Sequence, residues 1–232
     1  HGDQAGGVIA GNAQGAHGLT IDVDRGAGAI QGLALIHGHI GFLRNPRSIE
    51  QGTWHAVQDK IRVSTIGDPE DSEEVMIAKF FEVIENYTPQ LVSWNGGGFD
   101  LPVLHYRALI HGITAARYWD MGEGDFGDSR DFKWNNYISR YHNRHCDLMD
   151  LLALYQPRAN VPLDDMAKLC GFPGKLGMDG SKVWEAFHAG RLKDIRDYCE
   201  TDAANTYLMF LRFRLMSGAL DADEYEVEVK RL

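Results

Sequence analysis

The sequence predicts an α/β layer structure, and two observations carry the prediction. β-type apolar runs alternate along the chain with stretches whose apolar residues recur at helical spacing. One such run, Leu91-Val92-Ser93-Trp94, feeds a Gly-rich turn, Asn95-Gly96-Gly97-Gly98-Phe99, from which Asp100 opens a helix. At 232 residues the chain is long enough for one sizeable domain of this class, and two would be cramped.

The elements read in order from Gln58 onward. Ile61 to Ile66 alternates apolar and polar residues as a half-buried strand does. Asp68-Pro69 reads as the N-cap and first residue of a helix, with Glu70, Asp71, Glu73 and Glu74 near its positive end. Val75, Met76, Phe80, Val83, Ile84 and Tyr87 continue at helical spacing until Pro89. After the Leu91–Trp94 strand and its turn, a second helix runs through Val103, Leu104, Tyr106, Leu109 and Ile110. A polar loop leads to a short apolar stretch, Leu148–Leu154, then to brief helices at Pro162–Cys170 and Ser181–His188. A long helix from Leu192 to Met216 stops at Gly218. The expected division is a folded domain over 59–218 and a charged tail over 219–232, with no internal repeat.

Residues 1–58 differ from the rest. They hold 12 of the 26 glycines and 5 of the 10 histidines, but only Phe42 and Trp54 among the aromatics, and no lysine. Aromatic side chains supply much of a core's buried area, so this segment is poorly equipped to pack. Two readings stand side by side: a flexible or divergent Gly-rich segment, or residues outside the ancestral reading frame.

The net charge of −10 argues against a protein that coats nucleic acid through bulk electrostatics. It leaves room for an enzyme gripping one strand end, because clustered carboxylates recruit metal that reverses the local field. No run approaches the roughly 18 apolar residues of a membrane span, and no signal-peptide pattern opens the sequence. Cys146, Cys170 and Cys199 show no ligand spacing, so the expected compartment is a reducing cytoplasm. His37 and His39 offer too few partners for zinc.

Asp100 stands just past a strand end, where it serves either as an N-cap or as a ligand-facing carboxylate. Tyr198 and Asp202 lie four apart on the long helix, hence on one face, which is either solvated or turned into a site. A strand-end carboxylate, a helix carboxylate and an adjacent tyrosine suit the holding of divalent metal at a phosphate.

In SWNGGGFDLPVLHYRALIHG, FKWNNYISRYHNRHCDLMDLL, YQPRANVPLDDMAKLCGFPGKLGMDGSKVWEAF and IRDYCETDAANTYL, the chain resembles the predicted 3′–5′ exonucleases related to the proofreading domain of family B DNA polymerases. These form the tyrosine-bearing DEDD (DEDDy) branch of the RNase H-like superfamily, and the likeness runs over about residues 59–217. It implies an RNase H-like fold with a mixed central sheet flanked by helices, the N-terminal strands being the least defined part. It places the second exonuclease motif at Asp100 and the third at Tyr198 and Asp202. Two Mg²⁺ or Mn²⁺ ions would be ligated by Asp100 and Asp202, with Tyr198 orienting the attacking water. The implied reaction releases nucleoside monophosphates from single-stranded or frayed DNA 3′ ends, or from RNA.

The family's first motif, Asp-x-Glu on an N-terminal strand, has no match before residue 60. The nearest candidate is the Asp-x-Asp at Asp22 and Asp24, for which a polar turn is the default reading. An inactive module that binds nucleic acid or protein is therefore the alternative to an active enzyme.

Asn95 and Phe99 beside Asp100 are candidate nucleic-acid contacts. So are Lys133, Arg140 and Arg144, interleaved with Trp134, Tyr137 and Tyr141. Those aromatics also fall at helical spacing. The expectation is that the aromatics pack while the cations face the substrate. Lys175 or Lys182, in a family-like loop, either touches the DNA backbone or is merely solvated. Asp147 and Asp150 read as supports for the site or as structural groups at a strand end.

Overall fold

A strand whose successive residues are apolar has to be covered on both faces, and β2 (Gln90–Ser93) is. The structure, a computed structural model, describes residues 63, 66–68, 71–178 and 180–232, together with the backbone of 40–43. β2 is the middle strand of a mixed three-stranded sheet. On one side it pairs antiparallel with β1 (Ile40–Leu43), Ile40 standing opposite Ser93. On the other it pairs parallel with β3 (His145–Asp147), Ser93 standing opposite Asp147.

Alternation along β2 sends its side chains into two different cores. Leu91 packs with Ile77, Phe80, Phe81 and Ile84 of α1 (Glu73–Tyr87) and with Leu101, Leu104 and Ala108 of α2 (Asp100–His111). Tyr118 joins that core, as do Phe132 of α3 (Ser129–Phe132) and Tyr137. Val92 and Trp94 pack on the opposite face with Leu148 and Met149 of α4 (Leu148–Leu152) and Leu163 of α5 (Leu163–Leu169). Met209 and Phe210 of the long α7 (Leu192–Met216) complete the second core. A third, smaller cluster joins α6 (Val183–His188) to the start of α7 through Val183, Ala186, Ile195 and Tyr198.

The order of elements agrees with the sequence reading, and four details differ. Of the strand expected at Ile61–Ile66, the described residues Val63 and Ile66 are irregular, and the remainder lies outside the described residues. The described strand that pairs with β2 on that side comes instead from the Gly-rich segment. α1 starts at Glu73 rather than after Asp68, because Asp68 and Asp71 are tied into a turn: the Asp68 N–H donates to the Asp71 carboxylate (2.8 Å) and the Asp71 N–H to the Asp68 carbonyl (3.0 Å). Ser72 then caps the helix by accepting the Val75 N–H. Finally, the expected charged tail folds as α8 (Ala222–Lys230), entered by a capping box of Asp221 and Glu224. It lies against α7, where the Arg212 guanidinium donates to the Tyr225 hydroxyl at 3.0 Å. Among the described residues, no helix is long and apolar enough to cross a membrane.

Candidate active site

The Gly-rich turn between β2 and α2 is held from below by the end of β3. The Asp147 carboxylate accepts the Asn95 N–H and the Gly97 N–H, each at 2.8 Å, while also capping α4 through the Asp150 N–H. Ser93 Oγ accepts the Gly96 N–H at 3.2 Å and lies 2.8 Å from His145 Nε2. Burial lowers the His145 pKa, so that contact is between neutral groups. The turn leaves no room for side chains: a Cβ on Gly96 would sit 2.4 Å from Ser93 Oγ, and one on Gly98 2.4 Å from Asn95 Oδ1. Asn95 itself adopts φ +69°, a conformation asparagine tolerates better than most residues.

This clamp fixes where Asp100 enters α2. Phe99 occupies the N-cap position and makes no capping bond with its side chain, so the reading of Asp100 as an N-cap does not hold. Asp100 is the first residue of the helix, and only 3% of it is exposed.

On α7, the buried positions Ile195, Tyr198, Asp202, Asn205, Thr206 and Met209 follow helical spacing and turn inward. Tyr198 and Asp202 therefore do not form a solvated pair; Asp202 is 2% exposed. The two aspartates come from elements a hundred residues apart, and both are buried. The Cys199 thiol is pushed up to about 12 by its burial first, then by the charges of Asp202, Asp100 and Glu200. Lys175 reaches the same neighbourhood, its Nζ lying 5.8 Å from the centre of the Tyr198 ring.

The other candidates lie elsewhere or have partners. Arg140 forms a two-pronged ion pair with Asp150 and lies over the Tyr155 ring. Arg144 is half-buried, its Nε donating to the Asn135 carbonyl at 2.6 Å and its guanidinium stacked on Phe132 at 3.8 Å. Burial lowers its pKa below the ordinary arginine value. Lys133 is exposed and lies over the Trp134 ring. The expected packing of the aromatics is thus corrected in part, whereas Lys133 and Arg140 are exposed as expected and Arg144 is not. Tyr137 is buried, but Trp134 is 76% and Tyr141 68% exposed, while both arginines are engaged within the protein. The cause is that α3 stops at Phe132, so the helical register needed to bury the aromatics together is lost.

Asp22 and Asp24 lie outside the described residues. Among the described residues, no three His, Cys, Asp or Glu side chains are grouped as a metal ion would need. Asp100 and Asp202 are two hard carboxylates, the donor type that Mg²⁺ or Mn²⁺ takes, and by number they make part of a ligand set.

Asn205 was not foreseen from the sequence. Its carboxamide accepts the Gly174 N–H (3.1 Å) and donates to the Gly174 carbonyl (2.9 Å), so one side chain reads both polar groups of one residue. The available signal was its spacing, three residues past Asp202 and so on the same helix face.

Residues 48–232 match a family described as "Predicted 3'-5' exonuclease related to the exonuclease domain of PolB". The catalytic polypeptide of DNA polymerase epsilon from Emericella nidulans is 26% identical over 149 residues, which is 62% of this chain and 6% of that protein. Its Saccharomyces cerevisiae counterpart is 24% identical over the same length and shares. DNA polymerase 1 of Sulfolobus acidocaldarius is 46% identical over 39 residues, 17% of this chain and 4% of that protein. The chain thus spans only about one-sixteenth of the length of the epsilon polymerases it resembles. No solved structure matches it. The family match begins ahead of the composition break near residue 58 and takes in β2, α2 and α7 with their aspartates, and on that coverage the chain belongs to the family of predicted 3′–5′ exonucleases related to the exonuclease domain of PolB.

Proposed function

We propose that this chain is a divalent-metal-dependent 3′–5′ exonuclease of RNase H-like fold that removes nucleoside monophosphates from single-stranded or frayed DNA ends. The observation that carries the reading is that two carboxylates on separate elements, Asp100 at the start of α2 and Asp202 on the inward face of α7, are both buried. Gathering carboxylate charge in a buried place is costly, and a cation bound beside both aspartates would offset that cost.

Asp100 and Asp202 are the residues that would hold two Mg²⁺ or Mn²⁺ ions, with Asp22 and Asp24 as the sequence's candidates for the remaining ligands. Bound there, the cations would neutralise phosphate charge and lower the pKa of an attacking water. In the reaction, water attacks the terminal phosphorus and the bond to the preceding 3′ oxygen breaks. The products are a nucleoside 5′-monophosphate and a shortened strand with a free 3′ hydroxyl. Tyr198 would orient the water through its hydroxyl. The Asp147 clamp keeps the Asn95–Phe99 turn rigid, so that Asn95 and Phe99 can meet the terminal nucleotide. Lys175, beside Tyr198, and exposed Lys133 supply cations for the strand's phosphates.

Chromatography of the products after incubation with single-stranded DNA and Mn²⁺ tests the proposal. Nucleoside 5′-monophosphates are expected from the native chain, with none formed in EDTA or by Asp100→Ala. Intact oligonucleotide from folded, Mn²⁺-loaded protein would contradict it and leave a non-catalytic binding module.

A further inference from the structure

Asn205 carries no role in the chemistry above, yet it is buried and its amide is fully committed. Its Nδ2 donates to the Gly174 carbonyl and to the Thr201 carbonyl (both 2.9 Å), and its Oδ1 accepts the Gly174 N–H at 3.1 Å. A second tether lies one residue on, where Asp164 Oδ1 accepts the Lys175 N–H at 2.7 Å. Asp164 is in turn held by Lys168, at 2.7 Å. Gly174 fits between the two anchors only as glycine. Its φ is +68°, and a Cβ there would meet Asp164 Oδ1 at 2.5 Å.

The loop is thereby keyed to α7 at Asn205 and to α5 at Asp164. Its next side chain, Lys175, lies over the ring of Tyr198, roughly two turns before Asn205 on the same helix. A lysine on a free loop would spread its ammonium over many positions, and holding it in one takes backbone anchors on either side of its Cα.

We propose that Asn205 is a positioning residue: it docks the Gly174–Lys175 backbone onto α7 so that the Lys175 ammonium is held beside Tyr198, where the scissile phosphate of a 3′ end would lie. This rests on the exonuclease reading for its effect on rate, but the docking itself does not.

A double-mutant cycle on cleavage of a 5′-labelled single-stranded DNA tests it. Asn205→Ala and Lys175→Ala are each expected to lower kcat by about tenfold, the equivalent of ~1.4 kcal/mol. The double variant is expected to match Lys175→Ala alone, because Asn205 acts only through the lysine. An additive double variant would overturn the proposal, since a residue that merely stabilises the fold lowers activity equally in both backgrounds. Hydrogen exchange reads the docking independently of activity: Asn205→Ala should speed exchange at the Gly174 and Lys175 amides while central α7 amides keep their protection. Unchanged exchange at those two amides would overturn the docking. If the native chain cleaves nothing while exchange changes as expected, the exonuclease reading fails and the docking stands. If Asn205→Ala does not fold, Asn205→Ser, which is polar but too short to span both Gly174 groups, takes its place in both measurements, with the same outcomes.

Discussion

At the residue scale, the site turns on carboxylates whose surroundings differ sharply. Asp147 is spent on backbone N–H groups of the turn and on capping α4, whereas Asp100 has left the N-cap position to Phe99 and sits inside the helix. Asp202→Ala should lower cleavage by about a thousandfold, the loss expected when several kcal/mol of charge stabilisation is removed. Its circular dichroism should stay native, and loss of the fold instead would mark Asp202 as structural. Gly96→Ala should destabilise the protein by about 1–3 kcal/mol through overpacking against Ser93, read as a fall in the urea midpoint. Asp100, Tyr198 and Asp202 could be picked out as candidates from the sequence because their spacing and neighbours are local. It could not show which of the cations Lys133, Arg140, Arg144 and Lys175 are already engaged. That depends on Asp150, the Asn135 carbonyl and Phe132, and such pairings form only once the chain folds.

At the element scale, one carboxylate takes part in anchoring each of two segments: Asp147 in the β2–α2 turn and Asp164 in the 171–178 loop. Asp147→Ala removes two turn hydrogen bonds and a helix cap together, and should cost about 2–4 kcal/mol of stability by chemical denaturation. Asp147→Asn, which keeps one acceptor oxygen, should cost less. The Asp164 carboxyl is held below the usual carboxylate range by its bond to Lys168 and then by the Lys175 N–H. A carboxyl with a depressed folded-state pKa lends stability that is present above about pH 4 and lost as the pH falls through the folded value. Protection of the Lys175 amide, taken relative to its intrinsic exchange rate at each pH, should therefore fall below that pH in the native protein and stay level there in Asp164→Asn. Helix order and length were legible because α1, α2 and α7 keep an apolar period of 3.6 over several turns. The start of α1 was misplaced because Asp68-Pro69 and Ser72-Glu73 both carry start signals, and the side-chain bond from Asp71 to the Asp68 N–H decides between them. The end of α3 was hidden because its aromatic spacing outlasts the helix itself.

At the scale of the whole molecule, β2 lies between two cores, with α1 and α2 on one face and α4, α5 and α7 on the other. α2 leaves the end of β2, and α7 packs against that same strand. A rigid frame of this kind can bury charge that would otherwise be expelled, at a cost that the proposed cations would offset. Mn²⁺ at a hundredfold excess over its dissociation constant should therefore stabilise the native chain by about 2.7 kcal/mol, and Asp202→Ala should abolish the rise in melting temperature. The paired strand β1, in the Gly-rich segment, was not legible, because a four-residue run with a glycine inside it carries little periodic signal.

The central claim is that Asp100 and Asp202 build a centre that shortens a strand from its 3′ end. Its most direct test is a gel of 5′-labelled single-stranded DNA incubated with the native chain and Mg²⁺ or Mn²⁺, beside Asp202→Ala purified identically. The account predicts a ladder descending one nucleotide at a time from full length, absent with Asp202→Ala. A ladder of equal strength in both lanes, or undigested DNA with folded native protein, would contradict it.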